Sequence, residues 1–102
     1  MAASKEVRNK ALDHLFEAVL LLENKEECYT FFRDLCTMKE LNDMAQRFTA
    51  ACLLLDGKTY EQIVKEAEIS TATISRINRC IQYGTGGYQS VIEKISAQEK
   101  KQ

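Results

Sequence analysis

The chain contains no proline, and its four glycines fall in two places, at Gly57 and in the run Gly84-Thr85-Gly86-Gly87. Proline and glycine are the residues that most sharply stop or bend a helix, so helices can be broken cleanly at few points here. Between those points the apolar residues recur at intervals of three and four, the spacing that builds one face of an α-helix. The expectation is an all-α fold. With 102 residues the chain has the length of one domain, so residues 1–102 are read as a single unit. No run of about 18 apolar residues is present, and the first residues lack the apolar stretch of a secretory signal. The expected setting is the cytoplasm, with no membrane partner.

Cap signals divide the chain further. A first helix is expected from about Ser4 to Leu22, with Val7, Ala11, Leu15, Ala18, Val19 and Leu22 on one stripe and Leu12, Phe16 and Leu20 on a second. A helix apolar on more than one face needs partners on more than one side. In a chain this short, that points to a second subunit. Asn24-Lys25-Glu26-Glu27 opens a helix reaching Leu35. Thr37-Met38-Lys39-Glu40 is a capping box, and the helix it starts runs to Leu55, with Gly57 suited to a left-handed stop. Thr59-Tyr60-Glu61-Gln62 is a second capping box, and Ser70-Thr71 is a third N-cap signal before Ile74, Ile77 and Ile81. A short last helix uses Tyr88, Val91, Ile92 and Ile95, and Ser96–Gln102 reads as a polar, frayed tail.

Catalytic chemistry finds little support. His14 is the single histidine, and Cys28, Cys36, Cys52 and Cys80 form no C-x-x-C pair. Neither a zinc site nor a Cys-His or Ser-His-Asp set can be assembled from these residues. The cysteines are read as free thiols. Catalytic residues, metal ligands and a cofactor are not expected. Gly84-Thr85-Gly86-Gly87 follows a helix rather than a strand and lacks the lysine of a phosphate loop, so it is read as a hinge.

The charge is unevenly placed. Asp13 to Asp43 holds eight acids against three bases, whereas Ile69 to Ile92 holds no acid and includes Arg76 and Arg79. The net charge of −1 conceals this. An acid-free surface carrying arginines approaches phosphates without like-charge repulsion. Residues 59–83 have the layout of a helix-turn-helix: a capped short helix, a turn at Glu68-Ile69-Ser70, and a second helix. Ile63, Ala67, Ile69, Ile74 and Ile77 supply the apolar contacts between the two. The second helix presents Thr71, Ala72, Thr73, Ser75, Arg76 and Arg79, mostly short side chains that let a helix enter a major groove. Glu68 stands where the turn favours glycine. Double-stranded DNA is the expected partner. The alternative is a dimeric helical module that binds protein without reading DNA.

From about Lys10 to Ile95 the sequence resembles the Trp repressor family, and within it the small bacterial proteins of the YerC/YecD type. The resemblance is strongest in Leu55-Asp56-Gly57-Lys58-Thr59-Tyr60-Glu61-Gln62-Ile63 and in Ala72-Thr73-Ile74-Ser75-Arg76. It implies an intertwined homodimer held by N-terminal helices over about 4–55. It also implies reader helices at Thr59–Glu66 and Thr71–Tyr83. The DNA-facing set carried over is Gln62 and Lys65 with Thr71, Ala72, Thr73 and Ser75. A small-molecule corepressor pocket is implied as well, with Thr37, Arg47 and Arg76 matching its polar positions. Ile77 stands in the place of the pocket's glycine and Cys80 in that of its serine, which argues against L-tryptophan as the ligand. The implied activity is that of a DNA-binding transcriptional regulator, most simply a repressor.

Overall fold

The computed structural model describes residues 8–101, which contain six helices and no strand. They fall into two compact units, divided between Thr37 and Met38.

The first unit carries α1 (Lys10–Leu20) and α2 (Lys25–Leu35). Asn9 caps α1 in extended conformation, its side-chain oxygen accepting from the Leu12 N–H at 2.8 Å. The helix therefore starts later than the apolar stripe suggests, and it ends at Leu20 rather than Leu22. Ser4 to Val7 lie outside the described residues. Asn24 caps α2 by accepting from the Glu27 N–H at 2.9 Å, and the Glu27 carboxylate accepts from the Glu23 N–H at 2.9 Å. The first bond satisfies an orphan donor of the helix end, and the second ties down the residue before the cap. Phe31 and Phe32 meet edge to face with centroids 5.4 Å apart. Neither helix has a buried residue. Phe16 is 56% exposed, Leu20 83% and Leu21 78%.

The second unit holds α3 (Met38–Leu55), α4 (Tyr60–Ala67), α5 (Thr71–Tyr83) and α6 (Gly87–Lys101). α3 is the backbone of this unit and packs against the other three. Its Ala50 and Ala51 are fully buried, in one cluster with Ile63 and Ala67 of α4 and Ile74 and Ile77 of α5. Alanines on the central helix keep its surface low, so α4 and α5 approach closely and their isoleucines fill the space. Leu53, Leu54, Ile69, Ile81, Tyr88 and Ile92 close the rim.

α3 stops at Gly57, whose φ of +82° is left-handed. The Gly57 N–H donates to the Leu54 carbonyl at 3.1 Å and the Lys58 N–H to that of Leu53 at 3.0 Å. This Schellman pattern satisfies the carbonyls left over at the helix end. Gly84 ends α5, where a Cβ would collide with the backbone carbonyl of Cys80. Across that break the Gln89 amide donates to the Ile81 carbonyl at 2.6 Å, tying α6 to the last turn of α5. The expected frayed tail is instead helical to Lys101. Its Tyr88 and Ile92 pack against the core of the unit, and propagation from an anchored helix costs little per residue. Burial pushes the Cys52 thiol on α3 up from its ordinary value, and Glu99 of this extended helix adds to the shift.

Ile63 is fully buried and carries α4 against the rest of the cluster. Replacing it with alanine is expected to destabilise the chain by about 2–5 kcal/mol, against about 0.5–1.5 kcal/mol for valine. Urea denaturation followed by circular dichroism measures both.

Candidate nucleic-acid interface

The helix-turn-helix is assembled by local caps. Thr59 and Gln62 form the reciprocal box: the Gln62 N–H donates to Thr59 Oγ1 at 3.2 Å, and the Thr59 N–H donates to Gln62 Oε1 at 2.8 Å. Glu68 then takes φ +58° and ψ +43°, and its N–H donates to the Val64 carbonyl at 3.1 Å. The left-handed turn is thus made by a residue with a Cβ, at a cost of roughly 1–2 kcal/mol. Ser70 restarts the chain as a helix, accepting from the Thr73 N–H at 3.2 Å.

On α5 the buried and exposed residues separate cleanly. Ile74 and Ile77 face the core, while Thr71, Ala72, Ser75, Arg76 and Arg79 are exposed. These five lie at steps of one, three and four, which is one outward face. Thr73 differs: it is half-buried, and its hydroxyl lies 3.1 Å from Ser70 Oγ. On α4 the exposed pair is Gln62 and Lys65. The capping box occupies the Gln62 oxygen, leaving its amide N–H groups as the outward donors. Gln62, Lys65 and Thr71 line one recess, joined by Tyr60. The residue choices therefore converge across the two helices. The exposed face of α5 has no carboxylate, while Glu61 borders the recess from α4.

A second cavity, of about 590 Å³, lies between α3, α5 and the start of α6. Arg47, Arg76, Ile77 and Cys80, four of the five residues considered for a ligand, line it. Thr37 does not. It directly precedes α3, ten residues or roughly 15 Å of helix from Arg47. Ile77 is only 3% exposed, so it forms a wall of the cavity while belonging to the core. Thr73, Arg79, Tyr83, Gly84 and Tyr88 complete the lining.

Sequence reading missed Tyr60 and Tyr83. Tyr60 fell inside a capping motif, and Tyr83 was read only as the end of the second helix; it is 84% exposed. The usable signal was phase: Tyr83 follows Arg76 and Arg79 at steps of seven and four, on the outward side of α5.

Among the described residues no group of histidine, cysteine, aspartate and glutamate is placed to hold a metal ion, and no helix is long and apolar enough to cross a membrane.

The Trp repressor protein family profile matches residues 10–96, nearly all of the chain and both helices of the helix-turn-helix. The chain belongs to the Trp repressor family. Proteins of this family are regulators rather than enzymes. The uncharacterised protein YerC of Bacillus subtilis (strain 168) is 45% identical over 93 residues, covering 91% of this chain and 89% of that protein. Two solved structures are similar. A candidate Trp repressor from Staphylococcus aureus superposes with a TM-score of 0.87 at 44% identity, over 90% of this chain and 92% of the other. A TrpR-like protein from Eubacterium eligens ATCC 27750 gives a TM-score of 0.87 at 40% identity, over 90% and 95%. The all-α, Trp-repressor-like fold with its helix-turn-helix is thereby shared across proteins well above the range where likeness is of fold alone.

Glu68 offers a test of the turn. Glu68→Gly relieves the left-handed strain and is expected to stabilise the chain by about 1 kcal/mol, while Glu68→Ala keeps the strain and gains nothing comparable. A thermal melt of the three proteins separates backbone strain from charge.

Proposed function

We propose that this protein is a sequence-specific, DNA-binding transcriptional regulator, most simply a repressor, that acts in the cytoplasm as a homodimer. The observation that carries the reading is the exposed, acid-free face of α5, with Thr71, Ala72, Ser75, Arg76 and Arg79 held outward by the buried Ile74 and Ile77. Short hydroxyl and methyl groups fit base edges, and guanidiniums take phosphates or guanine. Lys65 and the Gln62 amide on α4 flank this face and serve the phosphate backbone. Thr73, with its hydroxyl in the Ser70 cap, contributes mainly by its methyl group and by setting the start of α5.

The dimer reading rests on α1 and α2. Helices of 11 residues each, with no buried side chain, gain little stability by themselves. The exposed Phe16, Leu20, Leu21, Tyr29 and Leu35 are an apolar surface that a second copy would bury, and residues 1–102 then work as one domain within that dimer. Sedimentation equilibrium is expected to show a dimer at micromolar protein, with the melting temperature rising with concentration. A folded monomer at that concentration would refute the dimer.

Selection from random duplexes with the purified protein supplies the site on which DNA contact is measured. Lys65→Ala is expected to weaken all duplexes alike and to lower the salt slope by about 1. Ser75→Ala and Thr73→Ala are expected to weaken the selected site by about 1–3 kcal/mol more than unrelated duplexes. Binding without sequence preference, or without salt dependence, would instead favour a helical module that docks on protein.

A further inference from the structure

An open recess of about 460 Å³ separates α4 from the start of α5, lined by Tyr60, Glu61, Gln62, Val64 and Lys65 of α4 and by Thr71, the first residue of α5. Glu61 is the one carboxylate among these residues. Lys65 lies four residues on, the spacing of a helical ion pair, yet the two do not pair, and among the described residues Glu61 makes no salt bridge at all. Beside phosphates an exposed acid is repelled. In the major groove only an amino group on a base edge offers it a donor: cytosine N4 or adenine N6. The floor of the recess separates these two. Val64 and Tyr60 are each 36% exposed and leave apolar surface next to the acid. Cytosine presents its N4 amino group beside a C5–H edge that needs no partner. Adenine presents N6 beside N7, an acceptor that a carboxylate repels. Thymine offers O4, and guanine O6 and N7, which are acceptors only.

We propose that this recess reads a cytosine: Glu61 accepts a hydrogen bond from the N4 amino group, and C5 lies over Val64 and the Tyr60 ring. Thr71 joins the recess to the end of α5 that carries Ala72 and Ser75, so the cytosine adjoins the base pairs met by α5. Lys65 and the Gln62 amide stay on the phosphates. The carboxylate weakens DNA contact in general and favours it at one base pair, so Glu61 contributes selectivity rather than strength. The cytosine contact rests on the DNA-binding reading.

Fluorescence anisotropy titration of the full chain, Glu61→Gln and Glu61→Ala would use the duplex selected by the parent protein. Each cytosine of the site is replaced in turn by thymine opposite adenine, or by 5-methylcytosine opposite guanine. At one cytosine in each half-site, thymine is expected to raise the parent's Kd about tenfold. In both variants that penalty is expected to fall to about twofold or less, because glutamine also donates to thymine O4 and alanine reaches neither base. Unrelated duplexes are expected to bind both variants at least as tightly as the parent, since a like charge is gone. At the same position 5-methylcytosine is expected to bind the parent as tightly as cytosine or tighter, the added methyl resting on Val64 and Tyr60. A loss of about fivefold or more with 5-methylcytosine would overturn the apolar placement of C5. Equal thymine penalties in parent and variants at every cytosine, or a selected site without cytosine, would overturn the contact and leave DNA binding intact. An acid that serves only the first turn of α4 gives equal penalties, because it shifts stability and not base preference. If the parent prefers no duplex, the DNA-binding reading fails and the cytosine contact with it. Glu61 is exposed and lies outside the pair Thr59 and Gln62 that forms the capping box, so both variants are expected to keep the fold, which circular dichroism checks.

Discussion

Both helices of the helix-turn-helix take their position from one contact set, in which Ile63 and Ile74, each without accessible surface, share a cluster with Ala50 and Ala51 of α3. The alanines keep α3 narrow and the isoleucines fill the gap with stiff, branched side chains. The angle between α4 and α5, and therefore the face that α5 turns outward, follows from that packing together with the turn at Glu68. The core is small, so each member carries a large share of it. That is also why a left-handed glutamate is tolerated: the packing on either side over-determines the turn, and the strain of one residue is modest beside the burial it permits.

The electrostatics follow a division of labour along the chain. The acids gather between Asp13 and Asp43, and the helix face with the strongest case for meeting phosphate has none. A global charge near zero therefore says nothing about the local field, because exposed charges beyond about a Debye length, roughly 8–10 Å, are screened from one another. Among the described residues, Arg47, Arg76 and Arg79 line one recess and make no salt bridge.

The first unit shows the opposite economy. Its helices are well capped, by Asn9 and by Asn24 with Glu27, yet none of their residues is buried. Caps define where a helix starts, but they contribute only about 1 kcal/mol each. The apolar surface of Phe16, Leu20 and Leu21 is worth several times that when buried. A second copy of the chain is the proposed means of burying it.

Much of this was legible in the sequence because caps and glycines are local chemistry. The start of α2 after Asn24, the Gly57 stop, the capping box at Thr59, and the span of α5 from Thr71 to Tyr83 needed no knowledge of the fold. The exposed and buried faces of α5 also followed from spacing, except at Thr73, which was read as outward and is half-buried. Other features depended on contacts between distant residues. The length of α6 was underestimated because its polar tail has no local reason to stay helical, and anchoring by the preceding apolar turns decides it. The occupation of the Gln62 oxygen by its own cap redefined what that residue can offer a duplex. Residue 47 and residues 76 to 80 are far apart in sequence, so only packing α3 against α5 could bring three arginines around one space. Local hydrogen bonding thus set the helices and most of the outward face of α5, whereas the recess arose from tertiary packing, because like charges share a recess only when buried apolar contacts elsewhere hold their helices together.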